Sequence, residues 1–102
     1  MNSEIYLQGK KSIIFNQLKQ FAAEIIGAEI IEELNISYDS VFTKDLEMGS
    51  IEIVAFAEKV NAFYGKDIDF ISWLYSMNLN KLINLSLGAI VDLIDEKTKN
   101  KS

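Results

Sequence analysis

A chain of 102 residues, 49% apolar and 25% charged, holds enough apolar material for one small core and too much for a disordered segment. Ten basic against fifteen acidic residues leave a net charge of −5, which argues against nucleic acid as a partner and favours docking onto basic protein surfaces. With no Cys and no His, the chain brings neither a thiol nor a base titrating near neutrality, which excludes disulfide frameworks, thiolate zinc sites and a Ser-His-Asp triad.

Residues 1–9 are mixed in character and read as a disordered N-terminus. No basic stretch leads into an unbroken apolar run, so no secretion signal is expected. The longest apolar runs are a few residues, against the roughly 20 that span a bilayer. Stable membrane insertion is therefore not expected, and a cytoplasmic location is the default.

From Lys10 the pattern turns helical, with Ile13, Ile14, Leu18, Phe21, Ala22, Ile25 and Ile26 at steps of three and four. Gly27 either ends this helix or weakens it, and Ile30, Ile31 and Leu34 carry the apolar face further. Asn35 to Gly49 reads as a long connection, rich in Asn, Ser, Tyr and Asp and pinned by Ile36, Val41, Phe42 and Leu46. A structureless loop of this length inside a compact domain is often functional. A second helix runs from about Ser50 to Tyr64, where Ile51, Val54, Ala57, Val60 and Tyr64 keep helical spacing. Ile53 and Phe56 widen its apolar stripe, and Gly65 is a natural terminator. Asp67 to Met77 predicts a brief, aromatic third helix. Ser86 caps a final helix whose buried side is Leu87, Ile90, Val91 and Ile94. The polar end, residues 96–102, reads as a disordered tail, leaving one domain over residues 10–95. No strand-like alternation and no internal repeat is present, so the fold class is all-α.

Ser50 is the one residue that invites chemistry. Two readings of it are open from the residues alone. In the first, Ser50 caps the second helix, as serines commonly do. A capping box on Ser50 would place Glu or Gln three residues on, where Ile53 stands instead. In the second reading, the hydroxyl is an exposed attachment point at a helix N-terminus, where free N–H groups and the helix dipole suit a phosphodiester. Gly49 before it lets another molecule approach the backbone closely.

Family resemblance bears on this choice. Phe42, Asp45-Leu46, Ser50-Ile51, the helix Val54-Ala57-Val60 ending at Phe63-Tyr64-Gly65, and the final Ser86-Leu87-Gly88-Ala89-Ile90-Val91-Asp92-Leu93-Ile94 together resemble an acyl carrier protein. The likeness spans about residues 12–94. It implies a four-helix bundle with three longer helices, a short third one and a long loop between the first two. It implies a carrier rather than an enzyme; with no linker or second domain in the sequence a free-standing chain is expected, and a monomer is the default. Ser50 would then be esterified with 4′-phosphopantetheine from coenzyme A by a phosphopantetheinyl transferase, with no metal held by the carrier itself. Further partners would be the acyl-loading, acyl-transfer and condensing enzymes of fatty-acid, polyketide or related lipid biosynthesis. Glu47 and Glu52, with Glu58, would offer charge to such partners, and Met48 and Ile51 apolar contact. Against these stand a solvated helix face for the glutamates and a core position for Met48. The cargo would shelter between the second and third helices, near Val54, Ala57, Phe70, Trp73 and Leu74, residues that read equally as plain packing.

Two residues depart from the family pattern. Gly49 stands where carriers have a near-universal Asp, and Ala55 where they have a partner-facing Glu. These departures keep two alternatives in view: an unmodified carrier-fold adaptor that binds proteins through the second helix, and a carrier of aminoacyl, peptidyl or D-alanyl groups.

Overall fold

The computed structural model describes residues 2–66 and 68–99. Among them are six helices and no strand: α1 Asn2–Ile26, α2 Ala28–Leu34, α3 Ser50–Tyr64, α4 Phe70–Tyr75, α5 Leu79–Ile83 and α6 Leu87–Lys99. The all-α expectation holds, with more pieces than the four helices anticipated.

Each extra piece has a local cause. Gly27 takes φ 108°, a conformation that side-chain-bearing residues rarely adopt, and this breaks the first helix into α1 and α2. α2 ends at Asn35, itself left-handed at φ 53°, whose short polar side chain tolerates that region. The predicted third helix shrinks to α4, because Asp69 accepts from the Ser72 N–H and fixes its start. The segment after Met77, for which no helix was expected, forms α5 once Asn78 caps it by accepting from the Lys81 N–H at 2.9 Å.

Both ends differ from expectation. α1 begins at Asn2 instead of near Lys10, so residues 2–9, expected to be disordered, are helical. α6 runs on through residues 96–99 of the expected tail, while residues 100–102 lie outside the described residues, as do Met1 and Asp67.

α1 packs against α2, α3 and α6, and α3 also packs against α4. Leu18 and Ala22 of α1 meet Phe56, Ala57 and Val60 of α3 and Ile90, Val91 and Ile94 of α6 in one core cluster. An ion pair between Lys59 and Glu24, at 2.8 Å, ties α3 to α1 along the surface. The connection 35–49 contributes Ile36, Phe42, Leu46 and Met48 to the same core, which explains why so long a segment holds one path.

That connection is fastened to the start of α6. Leu87 and Gly88 donate their N–H groups to the carbonyls of Ser40 and Tyr38, at 2.9 and 2.7 Å, and Phe42 donates to Leu85 at 3.1 Å. Two of the orphan donors of the α6 N-terminus are thus satisfied by loop carbonyls. The approach is close enough that a Cβ on Gly88 would lie 2.5 Å from the Tyr38 ring. Only glycine fits there.

Candidate functional site

The loop reaches α3 through a run of tight local bonds. Asp45 turns back on Val41, accepting from its N–H at 2.7 Å and donating its own N–H to the Val41 carbonyl at 2.8 Å. Glu47 then takes φ 54°, an uncommon region for a residue with a side chain. This kink turns Met48 inward. Met48 is only 3% exposed and donates its N–H to the Phe42 carbonyl at 2.9 Å.

With Met48 as an anchor, Gly49 becomes the N-cap of α3 and Ser50 its first helical residue. Of the two readings of Ser50, the one in which it caps the helix does not hold: the N-cap is Gly49. The capping acid is Glu52, whose Oε1 accepts from the Gly49 N–H at 2.9 Å. Glycine has no side chain to return the second bond of a capping box, so this is half of one. The shift of one residue explains why Ile53 is not the partner the sequence motif required.

The shift also leaves Ser50 unengaged. Its side chain is exposed, and among the described residues no group is hydrogen-bonded to its hydroxyl. The first intrahelical bond runs from the Ile53 N–H to the Gly49 carbonyl at 3.0 Å. The N–H groups of Ser50, Ile51 and Glu52 precede it and are open to an acceptor from outside. An exposed hydroxyl, no side chain at residue 49 and three outward N–H groups form a setting into which an esterified phosphate fits. The helix behind them is 15 residues long.

The other expected site residues divide. Ile51 is 81% exposed and Val54, one turn on, 54% exposed, so the first turn of α3 presents apolar side chains outward. Glu47 and Glu58 are exposed as well. Glu52 is half-buried and engaged in the cap, so its carboxylate holds the helix end as much as it faces outward. Met48, expected as an apolar contact for partners, is instead a core residue.

The expected cargo region is also rearranged. Val54 points outward, Ala57 lies in the core, and Trp73 stacks on Phe70 with ring centroids 5.5 Å apart. What lies between α3 and α4 is a cavity of about 10 Å³ lined by Phe42, Ile53, Phe56, Phe70, Leu74, Leu85 and Ile90. Phe70 and Leu74 were legible as its lining. Ile53 and Phe56 carried a signal too, since they widen the apolar stripe beyond one helical face. Phe42, Leu85 and Ile90 come from distant segments, which no local period brings together.

Neither a family model, nor a curated protein, nor a solved structure matches this chain.

Proposed function

We propose that this chain is a carrier protein of the acyl-carrier type, with 4′-phosphopantetheine esterified to Ser50. One observation carries the reading: Ser50 is exposed and unbonded at the start of α3, while the neighbouring Gly49 and Glu52 do the capping. Capping is the task of the N-cap position, held by Gly49, so the Ser50 hydroxyl at the first helical position has no structural task and is available for attachment. The all-α architecture and the long connection that leads to Ser50 support this reading.

In this reading Ser50 Oγ forms a new P–O bond at the diphosphate of coenzyme A. The P–O–P bond breaks, adenosine bisphosphate leaves, and the hydroxyl proton passes to a base on the transferase. The attached arm supplies a terminal thiol that the chain lacks, on which an acyl group rides as a thioester. The chain's own residues bind and orient. The N–H groups of Ser50, Ile51 and Glu52 would hold the phosphodiester, Gly49 would leave the approach open, and Ile51 and Val54 would offer apolar contact. Glu47 and Glu58 steer basic partner surfaces, over the roughly 8–10 Å that physiological salt allows.

The test is intact mass after incubation with coenzyme A, Mg²⁺ and a broad-specificity phosphopantetheinyl transferase, with Ser50→Ala alongside. A gain of one phosphopantetheine that disappears in the variant is expected. No gain with several transferases, on folded protein, would leave the unmodified adaptor as the better account. Loading by an amino-acid-activating enzyme in place of an acyl-activating one would assign the aminoacyl subtype.

A further inference from the structure

We infer, resting on the carrier reading, that Glu52 determines specificity for modification: its carboxylate is the anchored negative charge that a cationic group of the transferase meets beside Ser50. Gly49 brings no charge of its own to the attachment site. A Cβ there would lie 3.0 Å from Glu52 Oε1, so this carboxylate reaches the space that a side chain at residue 49 would enter. The same oxygen accepts from the Gly49 N–H at 2.9 Å, which sets it against the residue immediately before the attachment hydroxyl. A transferase reads the unmodified chain, and this is the geometry that the unmodified chain presents.

The other acids around Ser50 are not held in this way. Asp45 is drawn back into the connection, its Oδ2 accepting from the Val41 N–H at 2.7 Å. Glu47 is exposed, and among the described residues no hydrogen bond or ion pair fixes its carboxylate. Glu58 stands more than two turns further along α3, about 12 Å by the helical rise, beyond a group seated at Ser50. Glu52 is already pinned by its bond to Gly49, so it loses little side-chain freedom when a partner docks, whereas a free glutamate gives up rotamer entropy. A carboxylate offers lone pairs on both oxygens, and the cap occupies Oε1 alone, which leaves Oε2 to a donor from outside. Because Glu52 is half-buried, salt screens it less than it screens a fully exposed charge.

The experiment measures kcat/KM for transfer of phosphopantetheine from coenzyme A onto the full chain, read by intact mass at low and at high salt. Glu52→Gln keeps an oxygen to accept from Gly49, since Gln serves a capping box as Glu does, and removes only the charge. Modification is expected to slow about fivefold or more at low salt. The gap should narrow as salt is raised, because charge attraction is screened and capping is not. Gly49→Asp placed in the Glu52→Gln chain should recover most of the lost rate, and should do far less in wild type, where the charge is already present. Glu96→Gln removes an exposed acid of α6, controls for net charge and should leave the rate unchanged. Equal rates for Glu52→Gln and wild type would overturn the inference and leave the carrier function intact. So would a slowing that salt does not diminish or that Gly49→Asp does not recover, since that is the mark of a damaged cap. Absence of any mass gain in wild type is the distinct result that removes the carrier reading and this inference together.

Discussion

Gly49 is where one side chain decides most. Its backbone, at φ −85° and ψ −178°, is extended and open to any residue, so glycine is not there for conformational freedom. A Cβ would lie 3.0 Å from Glu52 Oε1, the movable end of a side chain, which needs to give only slightly. An aspartate at this position can itself accept from the free N–H groups of the first turn. Gly49→Asp is therefore expected to change stability by only a few tenths of a kcal/mol, since glycine is already a tolerable N-cap. It is also expected to speed modification by a standard transferase, which meets an Asp-Ser pair in typical carriers. Urea melts read the first effect and the initial rate of mass gain the second. A large loss of stability would show that the Glu52 cap cannot yield. Met48 sets the opposite case. Because it sits in the core, Met48→Ala should cost about 2–5 kcal/mol, the range for emptying a buried site of this size. Were Met48 a docking residue, that substitution would leave the urea midpoint in place and weaken partner binding alone.

At the scale of elements, the sequence was legible where a local rule dominates and obscure where a distant contact does. The periodic run from Lys10, the helix from Ser50 to Tyr64 and the Ser86 start of the last helix follow from spacing and capping chemistry. Ser86 Oγ does accept from the Ala89 N–H at 3.2 Å. Ser86→Ala should accordingly cost about 1 kcal/mol, the usual price of a lost N-cap. The expected size is modest because the Leu87 and Gly88 donors keep their loop carbonyls in the variant, and a chemical-denaturation curve measures it. That Gly49 and not Ser50 caps α3 was hidden, because it depends on Glu47 kinking and on Met48 finding the core. α5 was harder to read for a different reason: Leu79, Leu82 and Ile83 keep helical spacing over a single turn only, too short a run to stand out, and its start rests on the Asn78 cap. The candidate site was legible as Ser50 and Ile51 at a helix end. Its free hydroxyl was not, because which residue caps a helix depends on the chain path before it.

For the whole molecule, one cluster joins the long connection to the helices at either side of it. Tyr38 donates its hydroxyl to Asp92 Oδ1 of α6 at 2.8 Å, and Lys11 of α1 reaches the same oxygen at 3.0 Å. The Tyr38 ring also stacks on Phe15 of α1, with centroids 6.2 Å apart. Partial burial, and then the hydrogen bond to Asp92, push the Tyr38 phenol well above its ordinary value of 10.0. The hydrogen bond and charge of Asp92 likewise raise Lys11 above 10.5. In both groups the folded chain holds its proton more tightly than the unfolded one. The stability this contributes is therefore complete below about pH 10, where both states are protonated, and is lost as pH rises further. Denaturation midpoints followed from pH 8 to 11 should be flat at first and then fall. Tyr38→Phe, which keeps the ring on Phe15 and removes the ionising hydroxyl, should flatten part of that fall. Asp92→Asn should flatten the Lys11 share as well, since it removes the charge that both groups face. Lys11 and Asp92 are largely exposed, so salt should weaken their part while leaving the Tyr38 part, which rests first on burial, nearly unchanged. A fall equally steep in wild type and both variants would place the alkaline transition elsewhere, with Tyr64, whose phenol burial also raises, the next group to test.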